Sequence, residues 1–126
     1  MEFTYSQSSG AFTLQGEYLG TGYSGRGAGL NNGALQNVPD VGPIPRGVYT
    51  FAAIDPPDHL GPVAFRLIPD AANAMFGRYG FCLHADNAQQ NHTASCGCII
   101  LMPVLRQLVD ALVRAAGSRL RLWVVQ

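Results

Sequence analysis

A mostly β domain carrying one helix, built as a sandwich or a partly closed barrel, is the fold class this sequence predicts. Three observations carry that expectation. Short runs near both ends of the chain alternate apolar and polar residues with a period of two. Clusters of glycine, proline, asparagine and serine punctuate the runs. Only Pro103 to Ala116 shows a clear helical period.

Taken in order, Phe3 to Gln7 and Ala11 to Gln15 alternate around Ser8-Ser9-Gly10, which predicts a hairpin. Glu17 to Tyr23 continues as a weaker strand. Gly20 to Asn37 holds six glycines and the adjacent Asn31 and Asn32, so residues 20–41 read as a long surface loop. Tyr23 and Arg26 are its expected contributions to a substrate groove. Gly42 to Gly47 is a turn set by Pro43 and Pro45, and Val48 to Ile54 follows as a strand. Asp55-Pro56-Pro57-Asp58 breaks it, and His59 reads as a solvated turn residue. Val63 to Ile68 is the returning strand, ended by Pro69, and Asp70 to Phe76 is expected to make one helical turn. Gly80 to Leu83 and Ile99 to Leu101 are short apolar strands flanking a polar loop.

In the helix, Leu105, Leu108, Val109, Leu112 and Val113 fall on one face, and Arg106, Gln107, Asp110 and Arg114 on the other. Pro103 suits its first turn and Gly117 its C-cap. Leu120, Leu122 and Val124 then alternate with Arg119, Arg121 and Trp123 in a terminal strand. Tyr5, Tyr18, Tyr79 and the phenylalanines are assigned to the core.

The 126 residues suffice for one domain with a real core and are too few for two. Apolar residues make up 48% and charged residues 13%, so the chain folds rather than remaining disordered. Eight basic residues cancel eight acidic ones, which argues against a non-specific nucleic-acid binder. The stretch Met1-Glu2-Phe3-Thr4-Tyr5 lacks the features of a signal peptide, and no run has the length of a membrane span.

The chemistry concentrates between Phe81 and Leu101, which contains Cys82, Cys96, Cys98, His84 and His92. Only a few per cent of an ordinary thiol is thiolate at neutral pH. A nearby imidazole can remove the proton and hold the resulting anion, so His84 and Cys98 read as base and nucleophile. Asp86 would orient the imidazole if the strand continued. Gly97 permits a close backbone approach, and the Gly97 and Cys98 amides could face an oxyanion. Arg78 offers a fork that matches a carboxylate. Asn91-His92-Thr93 fits a glycosylation sequon that short chance matches also produce, and His92 reads as a polar loop residue. An odd number of cysteines leaves at least one unpaired, and a Cys82–Cys96 bridge is open to test.

His84-x-Asp86 followed by Ser95-x-Gly97-Cys98-Ile99, with Gly42-Pro43-Ile44-Pro45-Arg46-Gly47-Val48-Tyr49 upstream, resembles the signature of the L,D-transpeptidases. Tyr23-Ser24-Gly25 with Asn31 or Asn32, and Gly77-Arg78, is similar to their branch of small toxins delivered by type VI secretion. The resemblance spans Tyr18 to Leu101. It implies an L,D-transpeptidase-like domain over residues 1–126, acting as an L,D-carboxypeptidase or transpeptidase on peptidoglycan stem tetrapeptides. It implies Cys98, His84, Asp86, Ser95 and Gly97 as catalytic residues, Arg78 and Tyr23 as substrate contacts, and no cofactor or metal. It further implies a secretion-system carrier, an immunity protein and action in the periplasm after synthesis in the cytoplasm. The chain departs from the family in having Ile100 where an arginine is usual, and in placing Cys96 within the motif.

Two rival readings accompany the enzyme. One is a zinc site built from Cys82, His84, Cys96 and Cys98, although Cys-x-Cys is tighter than the usual knuckle spacing. The other is a non-catalytic module that keeps the fold and binds peptidoglycan or a partner protein.

Overall fold

The alternating runs become strands whose register follows their apolar faces. In the computed structural model, which describes residues 1–55, 63–87, 89 and 94–126, strands β1 (Glu2–Ser6) and β2 (Ala11–Leu14) form the expected hairpin, with Tyr5 opposite Phe12. Gln15 and Gly16 both take positive φ (51° and 85°), as a two-residue hairpin turn with the twist of its strands requires, and β3 (Glu17–Thr21) follows. Strand β4 is Tyr23–Ser24, β5 Gly47–Ala53, β6 Phe65–Pro69, β7 Cys82–His84 and β8 Ile99–Ile100. Helix α1 spans Pro103–Ala116, and β9 (Arg121–Val125) ends the sheet sequence.

All nine strands share one sheet in the order β3-β2-β1-β9-β5-β6-β7-β8-β4. The two edges of that order, β3 and β4, are consecutive in the chain and separated only by Gly22. A flat sheet of nine strands cannot bring its opposite edges within one residue of each other. The sheet therefore curls into a nearly closed barrel, which also disposes of exposed edges. Gly22 sits at the seam, donating to Gly10 O at 2.9 Å. A Cβ there would stand 2.2 Å from Ile100 O and 2.7 Å from Leu101 Cδ2.

The inward faces stay in register from strand to strand. Phe3 and Tyr5 pair with Leu122 and Val124, Tyr49 with Leu122, Phe51 with Leu67, and Phe65 with Leu83, which in turn pairs with Ile99. Phe3 stacks on Phe12 with ring centroids 4.8 Å apart, and Phe51 meets Phe65 edge-on at 6.0 Å. Leu105 and Val109 of α1 enter the same core. Each such fully buried side chain contributes roughly 1.5–3 kcal/mol. The mainly β fold with one helix thus stands as expected.

Several local expectations are corrected. Residues 20–37 are no uniform surface loop: they hold the end of β3, all of β4 and two 3₁₀ turns (Gly27–Gly29 and Gly33–Leu35), and Tyr23, Ser24 and Gly25 are buried. Asp70 to Phe76 forms turns instead of a helical turn, with Asn73 N donating to Asp70 O. Strand β6 starts at Phe65 instead of Val63, while Pro69, opposite Tyr49, ends it as expected. Tyr18, Phe76 and Tyr79 are exposed, unlike Tyr5 and the remaining phenylalanines. Arg106 is buried, because its Nε donates to Leu101 O at 3.0 Å and its Nη1 to Val63 O at 3.2 Å. Its guanidinium meets carbonyls just outside β8 and β6, a need invisible to helical periodicity. His59 and the Pro56-Pro57 break lie outside the described residues.

Gly22→Ala is expected to force the β4–β8 seam apart and to destabilise the protein by about 1–3 kcal/mol, in the range of overpacked sites. Urea denaturation checks it, and an unchanged midpoint would refute the seam.

Candidate active site

Leu83 and Ile99 are core residues paired across the parallel β7–β8 ladder, and His84 pairs with Ile100. Alternation turns Cys82 and His84 to the opposite face of β7. One residue before Ile99, the same register sets Cys98 beside Cys82, and the Cys82 N–H donates to Cys98 Sγ at 3.2 Å. His84 ends β7 and Cys98 directly precedes β8, so the parallel register brings the two residues to adjacent strands.

His84 Nδ1 lies 2.8 Å from Ala85 O. A carbonyl only accepts, so Nδ1 carries the proton and the lone pair sits on Nε2. The backbone thus sets the tautomer a general base needs. Asp86 Oδ1 accepts from Tyr23 Oη at 2.7 Å and from Asn87 N at 2.9 Å. Tyr23 Oη in turn accepts from Ala94 N at 3.1 Å, so this one phenol ties both ends of the 85–94 connection. Burial, and next the hydrogen bond to Asp86, push the Tyr23 phenol up to about 12.

The loop that carries Cys98 is held by two buried serines. Ser95 Oγ donates to Cys98 O at 2.6 Å and accepts from Gly25 N at 2.9 Å and Gly97 N at 3.0 Å. Ser24 Oγ donates to Gly97 O at 2.8 Å and accepts from Ile44 N at 2.9 Å. Gly97 has φ of +134°, and a Cβ on it would stand 2.6 Å from Arg78 Nη2 and 2.7 Å from Phe81 Cε1. Glycine is therefore required there for both conformation and space. The Gly97 amide, expected to face an oxyanion, is bonded to Ser95 instead.

Arg78 is buried and lies over the Phe81 ring, 5.0 Å from its centroid. Its Nη1 donates to Gln36 O and Pro43 O (2.6 and 2.8 Å), and its Nη2 to Gly42 O and Cys96 O (3.0 and 3.2 Å). Both terminal nitrogens of the expected substrate clamp thus serve four backbone carbonyls, stapling the 36–43 loop to the loop that carries Cys98. Cys98, Cys96 and Arg78 line a cleft of about 410 Å³ together with Asp40 and Tyr79. Tyr23 and Asp86 line a separate cleft of about 410 Å³ beside Arg106.

All three cysteines are thiols, so the bridge left open between Cys82 and Cys96 is absent, and Cys82 neighbours Cys98. A hydrogen bond with the Cys82 thiol, then burial, push the Cys98 thiol well above the usual range. Cys96 is exposed, its Sγ 3.8 Å from Arg26 Nη1. Among the described residues no three His, Cys, Asp or Glu side chains are grouped to hold a metal, so the rival zinc set of Cys82, His84, Cys96 and Cys98 does not converge. His92 and the sequon lie outside the described residues. Ser24 and Cys82 are the site neighbours that motif reasoning left without a role. Ser24 lies 73 positions from the carbonyl it holds, so no local signal marks it.

Gly97→Ala is expected to cost roughly 1–3 kcal/mol, since strain at positive φ adds to displacement of Arg78 and Phe81. Thermal denaturation alongside the wild type checks this. Raising the pH should destabilise the protein between about pH 10 and 12, where buried Tyr23 still holds its proton when folded and loses it on unfolding. Tyr23→Phe should flatten that alkaline slope of the unfolding free energy, and an unaltered slope would refute the assignment.

Among the described residues no helix is long and apolar enough to cross a membrane. No curated protein matches the chain. The family model described as the Tlde1 domain matches residues 19–122, from β3 to β9, and so takes in both lips of the site and its supporting loops. The chain belongs to the Tlde1-domain family, the type VI secretion effectors of L,D-transpeptidase-like type.

Proposed function

We propose that this protein is a cysteine-dependent enzyme that modifies peptidoglycan stem tetrapeptides, acting as an L,D-carboxypeptidase or L,D-transpeptidase. The observation that supports the reading is the parallel β7–β8 register, which brings His84 and Cys98 to adjacent strands, with Cys98 lining an open cleft. Membership of the Tlde1-domain family supports it.

In the first step His84 Nε2 takes the Cys98 proton and the sulfur attacks the carbonyl on the L-centre of the third stem residue. The Cys98 amide supplies the backbone donor to the oxyanion, since the Gly97 amide is committed to Ser95. Collapse expels D-alanine, whose amine receives the proton from His84, and leaves a thioester. Water then yields the shortened peptide, whereas an amine yields transpeptidation or D-amino-acid exchange. Asp86, held by Tyr23, fixes the chain just beyond His84, while the Ala85 carbonyl holds the ring itself. Arg78 acts through its charge and through the loops it joins. Family membership supports delivery by a secretion system and a cognate immunity protein, and action in the periplasm belongs to the same proposal.

A second reading has an observation of its own. The Cys82 contact favours a protonated Cys98 at rest, which suits a module that binds stem peptides without cutting them. Incubation with purified muropeptides and mass analysis separates the two. The enzyme should remove or exchange the terminal D-alanine, and Cys98→Ala should lose at least about a thousandfold in rate, as nucleophile deletions do. Binding without trimming by the wild type, or undiminished trimming by Cys98→Ala, would overturn the enzyme reading.

A further inference from the structure

Cys82 is, with Cys96, one of the two thiols that the reaction above does not use. It faces the same side of the sheet as His84 and lies beside Cys98 in the parallel register of β7 and β8. Its own N–H donates to Cys98 Sγ at 3.2 Å, so backbone and side chain of the pair already meet. Neighbouring strands run about 4.8 Å apart, within the roughly 4.4–6.8 Å Cα separation that a disulfide spans. Neither residue is fully buried, and Cys98 lines the open cleft of about 410 Å³, so a small reagent has access. Cys96 is placed differently: it sits on the exposed lip with its sulfur toward Arg26, beyond the end of the β8 ladder.

We propose that Cys82 and Cys98 form a reversible dithiol–disulfide pair, closed by exchange with a small-molecule disulfide, that masks the Cys98 sulfur. The exchange balances in two steps. The Cys98 thiolate attacks one sulfur of the small disulfide, giving a mixed disulfide and releasing one small thiolate. Cys82 then loses its proton and attacks Cys98 Sγ, which expels the second small thiol and closes the bridge. Two protein thiols are oxidised and one small disulfide is reduced to two thiols. The buried hydrogen-bonded arrangement makes Cys98 a poor attacker until its proton leaves, which sets the pace of the first step. Bridging needs no substrate and stands apart from the enzymatic reading; only its effect on activity rests on that reading. A closed pair would keep the nucleophile unreactive in an oxidising compartment until reduced.

The test uses the full chain carrying Cys96→Ser, so that any intramolecular bridge joins Cys82 to Cys98. The protein is equilibrated in buffers of increasing oxidised-to-reduced glutathione, alkylated, and weighed intact by mass spectrometry. The expected product has lost both alkylatable thiols, carries no glutathione, and recovers both thiols with dithiothreitol. Adding Cys82→Ser should instead trap one glutathione on Cys98. Glutathione on both cysteines of Cys96→Ser, or two thiols persisting in oxidant that modifies Cys98 in the Cys82→Ser protein, would overturn the pair. Muropeptide trimming by Cys96→Ser should fall below about one-tenth when bridged and return on reduction. A bridge that forms in a protein whose reduced state trims nothing would sink the enzymatic reading and leave the pair intact. Trimming without bridging would do the reverse.

Discussion

The parallel pairing of β7 with β8 is the constraint on which the site depends. Parallel strands cannot be joined by a tight turn, so the chain must leave the end of β7 and travel back to the start of β8. The connection from Ala85 to Cys98 makes that journey. It begins with Ala85, whose carbonyl meets the His84 ring, and ends with Cys98. Because Leu83, Ile99 and Phe65 are locked in register by the core, the opposite face carries Cys82, His84 and Cys98 in a fixed arrangement. A slip by one residue would turn these side chains into the barrel and the leucine and isoleucine outward. The hydrophobic core thus enforces the geometry of the polar face.

Two strand residues in β8 are too few to hold a loop by ladder bonds alone, and polar side chains take over that work. Ser95 and Ser24 reach the backbone of Gly97 and Cys98 from opposite sides. Arg78 reaches Cys96 O and three carbonyls of the 36–43 loop. A buried guanidinium is stable only when its donors are met, and here carbonyls meet them without an acidic partner. Desolvation draws its proton affinity down, yet an arginine stays charged in proteins. The result is a cation close to the nucleophile whose hydrogen bonds are directed into the scaffold.

Cys98 carries a tension of its own. The Cys82 thiol and burial hold it protonated, whereas the charge of nearby Arg78 favours the thiolate. A thiol that keeps its proton is guarded against stray electrophiles. The same neighbour that guards it stands where a disulfide would form.

Much of this molecule was legible in the chain. The hairpin, the helix Pro103–Ala116 and the terminal strand follow from periodicity, because burial on one face leaves its mark at every second or fourth residue. The grouping of Ser95, Gly97 and Cys98 was legible too, since they sit within four positions of one loop. What periodicity could not carry is anything decided by contacts distant in sequence. The closure of the sheet at Gly22, the burial of Arg106 against Val63, and the capture of Gly97 O by Ser24 each join segments that share no local pattern. Arg78 reads as a substrate fork in sequence and is a staple in space, because only the folded chain brings four unpaired carbonyls around it. Composition and spacing determined which residue types the site would contain; the register of β7 against β8 decided which of them face one another, since strand pairing is set by the core and not by proximity along the chain.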